Sequence, residues 1–132
     1  MNTADLSTDI LKAVSRSFYL TLRLLPSEFR GPLSLGYLLA RLSDTIADAG
    51  ALELARRKTL LSSFCSVMKS PGLTQEAAEL CAKLPKEMDG AGLSEGEMEL
   101  VRRAGDCMGW LESMEGSRAA AIRRVVGIIT EG

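Results

Sequence analysis

Apolar residues recur along this chain at spacings of three and four, the period of an amphipathic helix, and alternating β-branched runs are nearly absent. The pattern predicts an all-α fold, a helical bundle. Ile10, Leu11, Val14, Phe18, Leu22 and Leu25 form one seam on a first helix expected over about Ser7 to Leu25, with Ser7 or Thr8 as cap and Pro26 as its end. After a turn from Pro26 to Gly31, Pro32 suits the first position of a second helix, expected to reach about Ala49 before Gly50. A third helix is expected from about Leu52 to Lys69, ended by Ser70-Pro71-Gly72. A short fourth one spans about Thr74 to Lys83, cut by Pro85, and a loop follows from Lys86 to Gly92 with Asp89-Gly90 as its turn. Ser94-Glu-Gly-Glu97 reads as a capping box opening a fifth helix to about Glu115, and Ser117 as the cap of a last helix through Ile129.

The second helix carries the most informative pattern. Tyr37, Arg41, Asp44 and Asp48 follow one another at steps of four, three and four residues, which keeps them within roughly 60° of each other on a helix. Leu38, Leu39, Leu42 and Ile46 are apolar and cover much of the remaining circumference, so the helix is expected to be buried. Two carboxylates and an arginine on a buried helix are costly unless something charged meets them. Asp44 and Asp48 stand one turn apart, about 5–6 Å at Cβ, an arrangement that suits a hard divalent cation. On the first helix, Ser15-Arg16-Ser17 adds two hydroxyls and a guanidinium beside Phe18. Taken singly, each set also reads as an ordinary polar helix face.

Composition narrows the chemistry. The 132 residues are 46% hydrophobic and 25% charged, suited to one globular domain with a real core. A formal net charge of −1 and the lack of a basic, aromatic-laced stripe argue against nucleic acid as a partner. The chain has no His, which removes the commonest general base and the Ser-His and Cys-His pairs. Cys65, Cys81 and Cys107 are widely spaced and form no CxxC pair, so they read as free buried thiols of a cytoplasmic protein rather than zinc ligands. Asp5 and Asp9 interrupt any secretory signal, and the apolar window Leu33–Leu42 is too short to span a bilayer. Peripheral contact with a membrane, to collect a greasy substrate, stays open.

Ser15-Arg16-Ser17-Phe18, then Leu25-Pro26, Arg30 and Pro32, then Tyr37-x-x-x-Arg41-x-x-Asp44-x-x-x-Asp48, in this order and spacing, resembles the squalene/phytoene synthase family of head-to-head prenyltransferases. The resemblance covers about the first fifty residues closely. It implies an isoprenoid-synthase fold with a central cavity. It also implies that Asp44 and Asp48 hold Mg²⁺ ions bridging to the diphosphate of a prenyl diphosphate, farnesyl or geranylgeranyl. Residues matching Ser15, Arg16, Ser17, Phe18, Tyr37 and Arg41 would bind the diphosphate end, with Tyr37 and Arg41 as the catalytic candidates. Ionisation of one substrate and capture of its allylic cation by the other's double bond would give a cyclopropyl intermediate. NADPH would enter only if squalene is the product.

The chain departs from that family in one respect. Family members carry a second aspartate-rich motif on a later helix, and nothing after Asp48 matches it. Glu95 with Glu99, and Glu112 with Glu115, read as surface acids alternating with Arg102, Arg103 and Arg118; Arg56-Arg57-Lys58 reads as a solvated face. Val125, Val126, Ile128 and Ile129 gather close to the chain end, where polar residues are usual. Residues 1–132 are therefore expected to be one helical domain, the N-terminal portion of a longer isoprenoid-synthase domain and inactive alone. The competing expectation is a non-catalytic helical module that buries its exposed seam by homodimerisation or against a partner.

Overall fold

The computed structural model describes residues 9–24, 26–72 and 74–131. Eight helices occur among them, and no strand: α1 (Leu11–Val14), α2 (Arg16–Leu22), α3 (Ser27–Ala47), α4 (Leu54–Lys69), α5 (Gln75–Glu87), α6 (Glu95–Arg102), α7 (Ala104–Ser113) and α8 (Gly116–Glu131). The proposed caps Ser7 and Thr8, and Leu25, lie outside the described residues, as do the side chains of Val14 and Phe18.

α3 is the axis of the bundle. Leu35, Leu38, Leu39, Leu42 and Ile46 are at most 1% exposed, and each such leucine or isoleucine contributes roughly 1.5–3 kcal/mol by leaving water. Helices α1, α2, α4, α6, α7 and α8 all pack on α3. They bring Leu11, Phe64, Val67, Leu100, Trp110 and Val126 to the core. α5 packs against α4, α6 and α7 rather than against the axis. Packing is close enough that the void among Leu42, Phe64, Leu80, Leu84 and Met108 measures only about 10 Å³.

Several boundaries differ from those read off the sequence. The first helix is broken at Ser15, whose backbone is extended (φ −158°, ψ 93°). α3 starts at Ser27 instead of Pro32, with Pro26 as its cap, and continues through Pro32. That proline lies in the second turn, where it removes one intrahelical bond, a small loss beside the buried seam that follows. α5 likewise runs through Pro85 to Glu87, because Leu84 and Met88 are both anchored in the core. The long fifth helix is two helices meeting at Arg103, and Gly116 lies inside α8 rather than stopping α7. α4 begins at Leu54, with Glu53 as its cap residue.

Other expectations hold. Ser94 and Glu97 form the reciprocal capping box, each side chain accepting the other's backbone N–H at 3.1 Å. Thr74, expected inside this helix, stands just before it and caps α5 by accepting from Ala77 N–H at 3.1 Å. Gly90 sits at φ 77° in the Asp89-Gly90 turn, and Gly72 at φ 92° behind Pro71, both conformations that favour glycine.

Candidate functional site

The stripe on α3 is laid out as its spacing requires, but on the open side of the helix. Leu38, Leu39, Leu42 and Ile46 face the core, while Tyr37 and Arg41 are half-buried and Asp44 and Asp48 are exposed. The expectation of charges on a buried helix is thus corrected: the neighbours of α3 cover its apolar faces and leave the acidic end to solvent. α3 closes at Ala47, and Asp48 is its cap residue, yet Asp48 N–H still donates to Asp44 C=O at 2.9 Å. The two carboxylates therefore keep helical register. Among the described residues neither side chain has a hydrogen bond or ion pair.

Two guanidiniums stand at this end of α3. Arg41 Nη2 donates to Glu97 Oε2 at 3.5 Å, and its buried Nε has no partner among the described residues. Thr45, 2% exposed, donates its hydroxyl to the same oxygen at 3.5 Å. The Ser94 backbone N–H, above all, holds the Glu97 carboxyl below its ordinary pKa; the Ser94 hydroxyl, Arg41 and Thr45 act the same way against burial. Arg57 Nη1 donates to the Ala47 carbonyl at 3.1 Å, capping α3 next to Asp48, and its buried Nε also has no partner among the described residues. Arg56 pairs with Glu87 at 3.0 Å. In the Arg56-Arg57-Lys58 run Arg56 and Lys58 are exposed, as expected of a solvated face, and only Arg57 is half-buried.

Ser15 lies at the break between α1 and α2, half-buried, and Arg16 and Ser17 are exposed in the first turn of α2. Phe18 follows in α2, its side chain outside the described residues. α1 and α2 both pack on α3, so this segment and the stripe share one helical neighbour. Beyond it, Tyr19 is flanked by Lys12 Nζ and Arg23 Cζ at 5.6 and 5.8 Å from its ring centre. Tyr19 also accepts a hydrogen bond from Arg23 Nη1 at 3.0 Å.

On its other flank, Tyr37 borders a cleft of about 450 Å³ between α3 and α8, lined by Leu33, Gly36, Ala40, Ile122, Val125 and Ile129 among others. Its walls are almost wholly apolar.

The sequence reading missed Glu97 as a partner of the stripe. It lies 56 residues from Arg41 along the chain, and its only local signal, the capping box, explains it fully without Arg41. Of the supposed surface acids, Glu95 is exposed, Glu99 pairs with Arg102 at 3.8 Å and Glu115 with Arg118 at 3.9 Å. Glu112 is exposed too, but its partner is the buried Arg123, at 2.6 Å, rather than one of the surface arginines. Cys65 and Cys81 are half-buried and Cys107 is buried, and none of the three is in a disulfide among the described residues. No group of three or more His, Cys, Asp or Glu among the described residues could hold a metal by itself. No helix among them is long and apolar enough to cross a membrane.

The family model described as squalene/phytoene synthase matches residues 11–95. The matched span holds every stripe residue and the Ser15–Phe18 segment. Searches of curated proteins and of solved structures returned no match. The family is an all-α isoprenoid-synthase fold that binds prenyl diphosphates and uses a divalent metal, and the helices found here agree with it. With well over half of its length matched, the chain belongs to the squalene/phytoene synthase family.

Proposed function

We propose that this chain provides the first acidic wall of an Mg²⁺-dependent head-to-head condensation of two prenyl diphosphates. In this reading it is the N-terminal portion of a longer isoprenoid-synthase domain and binds substrate without turning it over alone. The observation that carries the reading is the Asp44–Asp48 pair: one turn apart on the best-packed helix, exposed, and without a side-chain partner among the described residues. Such a donor set fits Mg²⁺, which takes one or two carboxylates and completes its shell with water and phosphate oxygens. When bound, the metal supplies positive charge against a departing diphosphate.

The chain's own groups have separate tasks. Asp44 and Asp48 hold the metal. Arg41 donates to diphosphate oxygens, and Tyr37 offers a hydroxyl at the junction of the acidic end and the apolar cleft. Ser15 contributes a donor from the break between α1 and α2, and Arg16 and Ser17 from the first turn of α2, with Phe18 beside them. Leu33, Ala40, Ile122 and Ile129 offer a water-poor surface to a prenyl tail of farnesyl or geranylgeranyl length. NADPH belongs to the reaction only if squalene is made.

Calorimetric titration with a non-ionisable farnesyl diphosphate analogue tests the reading. Saturable binding that requires Mg²⁺ is expected, and its loss in the Asp44→Asn/Asp48→Asn double variant. Equal binding by the double variant would make the acids a surface feature.

One observation favours a second reading, a non-catalytic module that self-associates. Leu33, Val125 and Ile129 are 45–56% exposed around the α3–α8 cleft, an apolar patch of the kind that marks association surfaces. Concentration-dependent dimerisation in sedimentation, abolished by Ile129→Glu with helicity unchanged, would support it; a monomer at all concentrations would remove it.

A further inference from the structure

Arg41 and Glu97 are unequal partners. A guanidinium carries five N–H donors, yet among the described residues Arg41 has a single contact, 3.5 Å from Nη2 to Glu97 Oε2, at the outer limit for a hydrogen bond. Its buried Nε has no partner among the described residues. Glu97 is better served: Oε1 accepts the Ser94 backbone N–H at 3.1 Å, and Oε2 also accepts the Thr45 hydroxyl at 3.5 Å. Departure of Arg41 would leave Glu97 with both of these bonds. The present pose, in contrast, leaves most of the guanidinium's donors unused.

Resting on the reading of Asp44 and Asp48 as a diphosphate–metal site, we propose that Glu97 is a positioning residue: it parks Arg41 one turn before the acid pair until a diphosphate group draws the guanidinium away. A long ion pair whose side chains are 35% and 24% exposed is weak enough to be exchanged. Phosphate offers in return two acceptors matched to the guanidinium fork. Glu97 thus competes with the ligand for Arg41, while keeping the cation close to where it is used.

The capping box supplies a clean test. Glutamine at the third helical position can also form that box, so Glu97→Gln keeps the geometry of the cap and removes the charge facing Arg41. Ser94→Ala does the reverse. With Mg²⁺ and inorganic pyrophosphate as the probe, Glu97→Gln is expected to tighten binding by about three- to tenfold, the size of a weak ion pair. Ser94→Ala should leave binding unchanged. Arg41→Gln should weaken it, and adding Glu97→Gln to that variant should change nothing more. Unchanged or weaker binding in Glu97→Gln, or tightening in Ser94→Ala, overturns the proposal.

The unaltered chain gives a second measurement, independent of how the variants fold. The Arg41 Nε–H resonance should shift on adding pyrophosphate with Mg²⁺ but not Mg²⁺ alone, and a stationary resonance refutes the exchange. Absence of any pyrophosphate binding would overturn the site reading itself. Binding that needs Asp44 and Asp48 but ignores Glu97→Gln would overturn this inference only.

Discussion

Arg123 on α8 places Nη2 2.6 Å from Glu112 Oε1, while its Nη1 donates to the carbonyls of Val67 at 2.9 Å and Ser70 at 2.9 Å. The Met68 carbonyl, at 3.4 Å, lies within its reach too. These are carbonyls of the last turn and cap of α4, where the helix's own ladder runs out; the Val67 carbonyl also accepts the Ser70 N–H at 3.3 Å. One cation, 7% exposed, thus closes a helix terminus, meets its dipole and ties α8 to both α4 and the end of α7.

Arg123→Ala should therefore cost on the order of 2–3 kcal/mol, since it strands buried carbonyls as well as a half-exposed carboxylate. Arg123→Lys should restore only part of this, because a single ammonium cannot span both sets of acceptors. The urea midpoint measures the loss. The slope should stay constant if the bundle itself is intact.

The capping box makes a prediction with a pH sign. Chiefly through the Ser94 N–H, the folded state holds the Glu97 carboxyl below its ordinary value of 4.5, so the folded chain binds this proton less tightly than the unfolded one. The stability it contributes is complete above about pH 4.5 and drains away as pH falls through the lower folded value. The stability gap between the unaltered chain and Glu97→Gln should be widest near pH 6 and narrow by pH 3.5 in urea titrations. A gap independent of pH would mean that the charge does not matter to the cap. Ser94→Ala should cost about 1 kcal/mol at neutral pH.

How far these relationships could be read from the chain depends on their range. The Ser94–Glu97 box, the Thr74 cap and the Leu35-to-Ile46 core face are local, and the three- and four-residue spacing displays them directly. Pro32 and Pro85 misled the helix boundaries because a proline's local cost is outweighed by burial of Leu35, Leu38, Leu84 and Met88 around it. The breaks at Ser15 and Arg103 carry no proline or glycine at the break itself, so sequence offers no breaker there. Glu97 with Arg41, and Arg123 with Val67, are 56 residues apart, and tertiary pairing of that kind leaves no periodic trace. The acid stripe was visible as a pattern, but its exposure depended on which faces of α3 its neighbours cover.

Thiol chemistry should sort by burial. Burial first, then the neighbouring Asp106 and Cys81, pushes the Cys107 thiol from 9.0 up to about 12. The thiolate is the reactive form, so at pH 8 Cys107 should label about a thousandfold more slowly than an unshifted thiol, before its enclosure is counted. Burial raises Cys81 as well. Alkylation followed by peptide mass analysis should find Cys107 unmodified in the native chain and modified once urea unfolds it. Ready native labelling of Cys107 would mean that α7 opens locally.

Asp44 and Asp48 occupy the last turn and the cap of α3, the negative end of the helix dipole, and stand one turn from each other. Both placements are unfavourable: an acid at a helix C-terminus typically costs about 0.3–1 kcal/mol, and like charges four residues apart cost a further few tenths. No basic residue of α3 lies in its last turn, and Arg57, reaching the Ala47 carbonyl from α4, offsets the dipole only in part. Acids placed where they weaken the helix are what the proposed metal-binding role predicts. Asp44→Asn and Asp48→Asn should accordingly raise the melting temperature of the metal-free chain while removing Mg²⁺-dependent diphosphate binding. Millimolar Mg²⁺ with pyrophosphate should raise the melting temperature of the unaltered chain and leave that of the double variant in place. If both substitutions instead lower the melting temperature without ligand, the carboxylates stabilise the fold, and the case for them as a metal pair loses its energetic support.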